Sequence, residues 1–133
     1  MNEEALNVLV GQVLQDLGGA FSVPLVQIGE NLGIYKALHE SGPMSSAELA
    51  QATNLDERYV REWLSAQAAS NYINYDADSD QFSMTPEQAF VFADSNSPFY
   101  MAPAYGSAAA FQQNLTKVQD AFQTGQGVAW GDQ

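Results

Sequence analysis

Few of the side chains could do chemistry. His39 is the single histidine and cysteine is absent, so one chain cannot assemble a His-His metal pair, a Ser-His-Asp relay or a thiol nucleophile. His39, with Glu40 beside it, falls at a helix C-terminus, where a cation meets the negative end of the helix dipole. Asp76, Asp78, Asp80 and Glu87 take the first, third, fifth and twelfth positions of an EF-hand loop, a spacing that would suit Ca²⁺. Gln81 replaces the glycine that loop requires, and Gln81 to Met84 reads as a strand that would have to bend inside it. The acids are therefore assigned to a solvated hairpin turn. Gly29-Glu30-Asn31-Leu32-Gly33 has small residues at both ends but lies inside a helical pattern with no strand before it, which implies close helix packing, not a nucleotide loop. Arg58 and Arg61, with Glu62 and Ser65, lie on the exposed side of a helix that would read DNA in a transcription factor. Glu57 to Arg61 and Arg58 to Glu62 are each four residues apart, so the charges should pair along the helix and not wait for base edges. Phe99, Tyr100, Met101 and Tyr105 crowd around Pro98 and Pro103, more apolar surface than a short loop normally carries. Phe99, Tyr100 and Tyr105 are candidates for the wall of a substrate pocket, with ordinary core as the alternative.

The elements that would position these residues are mostly helical. Leu6, Leu9, Val10, Val13, Leu14 and Leu17 recur at helical spacing from Glu3 to Leu17. Gly18-Gly19 should interrupt that helix, and Pro24 suits the first turn of a second, whose stripe of Leu25, Ile28, Leu32 and Tyr35 runs towards His39. Ser41-Gly42-Pro43 makes a turn, and Ser45 with Glu48 forms a capping box opening a third helix through Ala52. Asn54-Leu55 turns the chain again. Asp56 caps a fourth helix with Val60, Trp63, Leu64, Gln67 and Ala68 on one side, so the pair has helix-turn-helix spacing. Tyr72 to Tyr75, a polar turn from Asp76 to Asp80, and Gln81 to Met84 read as a β-hairpin wing. Thr85-Pro86-Glu87-Gln88 starts a short helix to about Asp94. Phe111, Leu115, Val118 and Phe122 mark one long helix from Pro103 to Thr124, ended by Gly125-Gln126-Gly127. The fold expected is mainly α: a winged helix-turn-helix with a small β-hairpin wing and extra N- and C-terminal helices.

With 133 residues the chain has room for one domain. Its net charge of −12, from 16 acidic and 4 basic residues, opposes the phosphate contacts that drive nucleic-acid binding and disfavours anionic membrane surfaces. No uninterrupted apolar run approaches the roughly 20 residues of a bilayer span. Met-Asn-Glu-Glu is not the start of a secretory signal. These features predict a soluble, cytoplasmic protein without membrane or nucleic-acid partners.

Leu32-Gly33-Ile34-Tyr35-Lys36-Ala37-Leu38, Gly42-Pro43-Met44-Ser45-Ser46-Ala47-Glu48-Leu49-Ala50 and Leu55 to Leu64, with a final Gly125-Gln126-Gly127-Val128, resemble the opening domain of bacterial class I SAM-dependent methyltransferases with an N-terminal winged helix, a domain similar to the dimerisation domain of O-methyltransferases. The likeness runs from about Val10 to Trp130. It implies a dimerisation and substrate-capping domain over residues 1–124 and a linker over 125–133. It also implies that the chain is non-catalytic and holds no cofactor, and the residues themselves suggest no metal site. SAM and the transfer chemistry would belong to a Rossmann-like domain beyond the linker, and a small-molecule methyl acceptor would lie beneath the cap. The expected homodimer interface is Leu6, Leu9, Val10, Val13, Leu14 and Leu17, because Leu49, Leu55, Val60, Trp63, Leu64, Ile73 and Phe82 already supply a core and something else must cover the first helix. The last helix could cover part of it. The rival reading is a free-standing winged-helix transcriptional regulator or interaction module.

Overall fold

The computed structural model describes residues 1–129 and Gly131; Trp130, Asp132 and Gln133, the end of the expected linker, lie outside the described residues. Helix α1, Glu3–Asn31, begins where the Asn2 side chain accepts the Ala5 N–H at 3.0 Å, with Glu3 and Glu4 in the first turn complementing the helix dipole. Gly18-Gly19 and Pro24, expected to separate two helices, are interior to this one. Proline withholds one N–H, and the turns beyond it are anchored because Val23, Val26 and Gly29 are buried against the rest of the chain. Tertiary packing thus outweighs the local cost of the breakers. At 29 residues α1 is about 43 Å long, and by length and composition it is apolar enough to cross a membrane. That corrects the expectation drawn from runs taken piecewise between the glycines and the proline.

The break falls instead at Gly33, whose φ of +70° is a left-handed conformation that glycine adopts without a Cβ penalty. Helix α2, Ile34–Ser41, buries Ile34, Tyr35 and Leu38. Helix α3, Ser46–Thr53, is capped by the Ser45 hydroxyl on Glu48 N–H, the Ser45 half of the expected capping box without, among the described residues, a return bond from the Glu48 carboxylate, and helix α4, Glu57–Ala69, by Asp56 on Tyr59 N–H. Strands β1, Asn74–Asp76, and β2, Gln81–Ser83, pair antiparallel with Tyr75 opposite Phe82. β1 starts two residues later than the sequence suggests, because Tyr72 and Ile73 turn into the core. Met44 adds an isolated bridge to Phe82, with hydrogen bonds of 2.9 and 2.7 Å in the two directions, tying the α2–α3 turn to the wing.

Thr85 and Gln88 close the expected capping box at the start of helix α5, Pro86–Phe92. The expected long last helix is two, α6 (Ala104–Gln113) and α7 (Leu115–Thr124). Asn114 divides them by turning both its backbone N–H and its side-chain amide to the Ala110 carbonyl, a local bond that competes with helix continuation. The core gathers Val26 of α1, Tyr35 and Leu38 of α2, Leu49 of α3, Val60, Trp63 and Leu64 of α4, Ile73, Phe82 of the wing and Phe92 of α5. This is the mainly α winged helix-turn-helix that the spacing predicts, with extra helices at both ends.

Candidate functional site

The second half of α1 packs inward through Val23, Val26 and Gly29, where a Cβ on Gly29 would come within 2.4 Å of Trp63 Cζ2 and 2.5 Å of Tyr35 Cε2. Trp63 Nε1 donates to the Leu25 carbonyl at 2.8 Å, and the Tyr35 hydroxyl donates to the buried Gln67 side chain, so both rings are fixed. The apolar stripe on the opposite side is left uncovered. Leu6, Leu9, Val10, Val13, Leu14 and Leu17 are all exposed, and so are Phe21, Ile28 and Leu32, which continue their spacing. The seam therefore runs from Leu6 to Leu32, about 39 Å of helix. Phe21 follows the glycine pair that reads as a break in the sequence, and Ile28 and Leu32 fall in the stripe that the sequence assigns to a second helix opening near Pro24.

Among the described residues nothing covers the first half of α1: residues 1–21 are exposed throughout. Helix α6 packs on α1 with Gly106 near Gln27 and Ala109 buried, on the second half only. Helix α7 buries no residue, and Phe111, Leu115 and Phe122 are exposed with it. At the far end of the seam Ile28 and Leu32 border an apolar groove of about 230 Å³, completed by Ile34, Leu55, Tyr59, Val60 and Trp63 with Asp56 at its edge. The accessible surface totals 9162 Å², whereas a compact monomer of this 14.4 kDa mass exposes about 6,800 Å².

A second cavity, about 500 Å³, lies between the N-terminus of α3, the outer side of α4 and the wing. Arg61 pairs with Glu57 at 3.6 Å, as expected, and the Ser46 hydroxyl donates to the same Glu57 oxygen at 2.8 Å. The Arg58–Glu62 pair expected beside it is not formed among the described residues. Across the cavity the Tyr75 hydroxyl donates to Asp80 at 2.8 Å, which pushes its own ionisation above the ordinary range.

The remaining candidates separate. Tyr100 and Tyr105 are half-buried against the core, the first donating to Glu30 at 3.1 Å and the second sharing a 3.0 Å hydrogen bond with Tyr72. Burial, with that bond second, pushes the Tyr105 hydroxyl up to about 12. Phe99 is exposed and packs on Phe90 with ring centroids 5.8 Å apart. His39 is exposed in the last turn of α2. Asp76 accepts from Asp78 N–H and the Ser79 hydroxyl within the hairpin turn, and among the described residues no group of acids or histidine is arranged to hold a metal ion.

The sequence profile of the Rv2258c-like winged HTH domain matches residues 20–93, from the inner half of α1 through α5. Three solved structures share the fold. Mitomycin 7-O-methyltransferase MmcR superposes with a TM-score of 0.74 at 22% identity, over 95% of this chain and 37% of that one. Human N-acetylserotonin methyltransferase, in complex with SAM, gives 0.71 at 14% identity, over 90% and 36%. The N,N-8-amino-8-demethyl-D-riboflavin dimethyltransferase RosA from Streptomyces davawensis gives 0.65 at 23% identity, over 90% and 34%. The chain thus spans little more than a third of each. No curated protein matches it.

Proposed function

We propose that this chain, which belongs to the Rv2258c-like winged helix-turn-helix domain family, is the non-catalytic N-terminal domain of a SAM-dependent methyltransferase that dimerises in the cytoplasm and helps cover the pocket of a small-molecule methyl acceptor. The observation that carries the reading is the uncovered apolar seam of α1. The chain as a whole exposes about 2,300 Å² more than a compact monomer of this mass would, and the seam contributes to that excess together with α7. Two copies burying an area of that order fall within the roughly 2,000–5,000 Å² range typical of obligate homodimers. A bilayer is the poorer match for the same face. Gln12, Gln15 and Asp16 lie on the other side of the helix, where a span would place them in hydrocarbon and a paired helix leaves them in water.

SAM would be held by another part of the parent enzyme. A nucleoside site of that kind needs a strand, a Gly-rich loop and an acid for the ribose. The strands among the described residues form only a two-stranded antiparallel hairpin, and Gly29 and Gly33 sit in and just beyond a helix packed on Trp63 and Tyr35. Residues 1–124 would be the domain proper and 125–133 the link to that part, with Phe99, Tyr100 and Tyr105 towards the acceptor.

Sedimentation of the chain at micromolar concentration tests the reading and should show a dimer. Leu9→Glu with Val13→Glu places charges on the seam without touching the core, since both residues are exposed, and should give monomers. A monomer in the unmutated chain would refute the proposal.

A further inference from the structure

The cavity between α3, α4 and the wing has the size of a ligand site, about 500 Å³ against the roughly 300–1,000 Å³ usual for small molecules. It occupies the face that a winged helix turns to DNA. Its chemistry is opposite to what DNA needs. Of its three charged side chains, Arg61 is committed to Glu57 at 3.6 Å, which leaves the Asp80 carboxylate as the uncompensated charge. Asp76 and Asp78 in the same turn, and the net −12 of the whole chain, add to the negative potential, so a phosphate is repelled and a cation attracted. Its apolar lining is Phe82, which is buried, with Ala47, Ala68 and the ring of Tyr75, among the hydroxyls of Ser45, Ser46 and Ser65. Tyr75 is about half exposed and packs on Phe82 with centroids 4.7 Å apart. An aromatic ring next to a carboxylate is the pairing that receives an ammonium group, the ring through its negative face and the acid through its charge. The geometry points to this cleft as a binding site for a small organic ammonium ion carrying an apolar body, its charge at Asp80 and Tyr75 and its body over Phe82, Ala47 and Ala68. The site uses no residue of the α1 seam, so it stands or falls independently of dimerisation.

Amide chemical shifts of the full chain, followed while phenethylammonium is added, test the assignment, with 3-phenylpropionate as the same body bearing the opposite charge. Saturable shifts at Ser46, Arg61, Ser65 and Asp80 are expected for the ammonium and none for the carboxylate. Asp80→Asn keeps the turn, because Asp80 has φ +54° and asparagine tolerates that conformation. It should weaken binding about tenfold, and Glu57→Gln gives a second reading of the charge. Saturation by 3-phenylpropionate, failure to saturate with phenethylammonium by about 10 mM, or affinity unchanged in Asp80→Asn would overturn the proposal.

Discussion

Replacing Gly29 by alanine adds one methyl where α1 meets two ring edges. The new carbon would lie 2.4 Å from Trp63 Cζ2 and 2.5 and 2.9 Å from Tyr35 Cε2 and Cδ2, against the roughly 3.5–4.0 Å at which carbons attract. Each ring must retreat by about 1 Å or more. Neither can do so cheaply, since one is tied to the Leu25 carbonyl and the other to Gln67. Overpacking of this kind costs about 1–3 kcal/mol, and rigid rings argue for the upper end, while alanine returns about 1 kcal/mol of helix propensity. A net loss of about 2 kcal/mol is expected, lowering Tm by about 6 °C for a domain of this size. Gly18, which has nothing within 4 Å of its Cβ position, is the control: Gly18→Ala should stabilise the same helix by up to about 1 kcal/mol. Urea titrations followed by circular dichroism at one protein concentration measure both. A Gly29→Ala chain as stable as the parent would show that the helix and rings do not approach this closely.

Burial, followed by the Tyr72 hydrogen bond, holds Tyr105 neutral up to about 12, and burial likewise pushes Tyr35 and Tyr100 upward. The folded chain therefore prefers the neutral phenols. That stabilisation is complete below the ordinary tyrosine value of 10.0 and is lost as pH rises from there through about 12. Tyrosinate absorbance should consequently lag in the native chain relative to the urea-unfolded one, and superimposed titration curves would contradict it. Gel-shift titration at physiological salt should show no sub-micromolar binding of duplex DNA, because a net charge of −12 opposes counterion release. Salt-sensitive association weakened by Arg58→Ala would reverse this expectation.

Where a feature rests on a few adjacent residues, the sequence reveals it. Ser45, Asp56 and Thr85-Pro86-Gln88 each act within one turn, and their caps form as their types require. Gly18-Gly19 and Pro24 mislead for the converse reason: their local preference is real, but the burial of Val23, Val26 and Gly29, supplied by residues far along the chain, decides the helix. Asn71 shows the same limit on the wing. With φ +60° it rotates Ile73 into the core, and strand pairing begins only at Asn74. Leu6 to Leu17 were legible as a stripe from their period, and as a surplus because Leu49, Val60, Trp63 and Leu64 already supply a core. The cleft at Arg61, Tyr75 and Asp80 was not, since three segments distant in sequence build it and no spacing links them.

The outer half of α1 has a consequence for how assembly and order are linked. Among the described residues nothing buries residues 3–21, and Gly11, Gly18 and Gly19 each disfavour helix by about 1 kcal/mol relative to alanine. A solitary helix of this length is marginal in water even with better formers, because nucleation is costly. In a lone protomer these turns should exchange with coil, and a second copy docking on the seam would order them as it binds. Part of the interface energy of the proposed dimer would then be consumed in winding the helix, about 2–5 kcal/mol in coupled folding and binding, so the pair would be held less tightly than its area suggests. If the chain dimerises as proposed, helical content should depend on protein concentration, and subunit exchange should proceed through unwinding of the seam, not through separation of two rigid bodies.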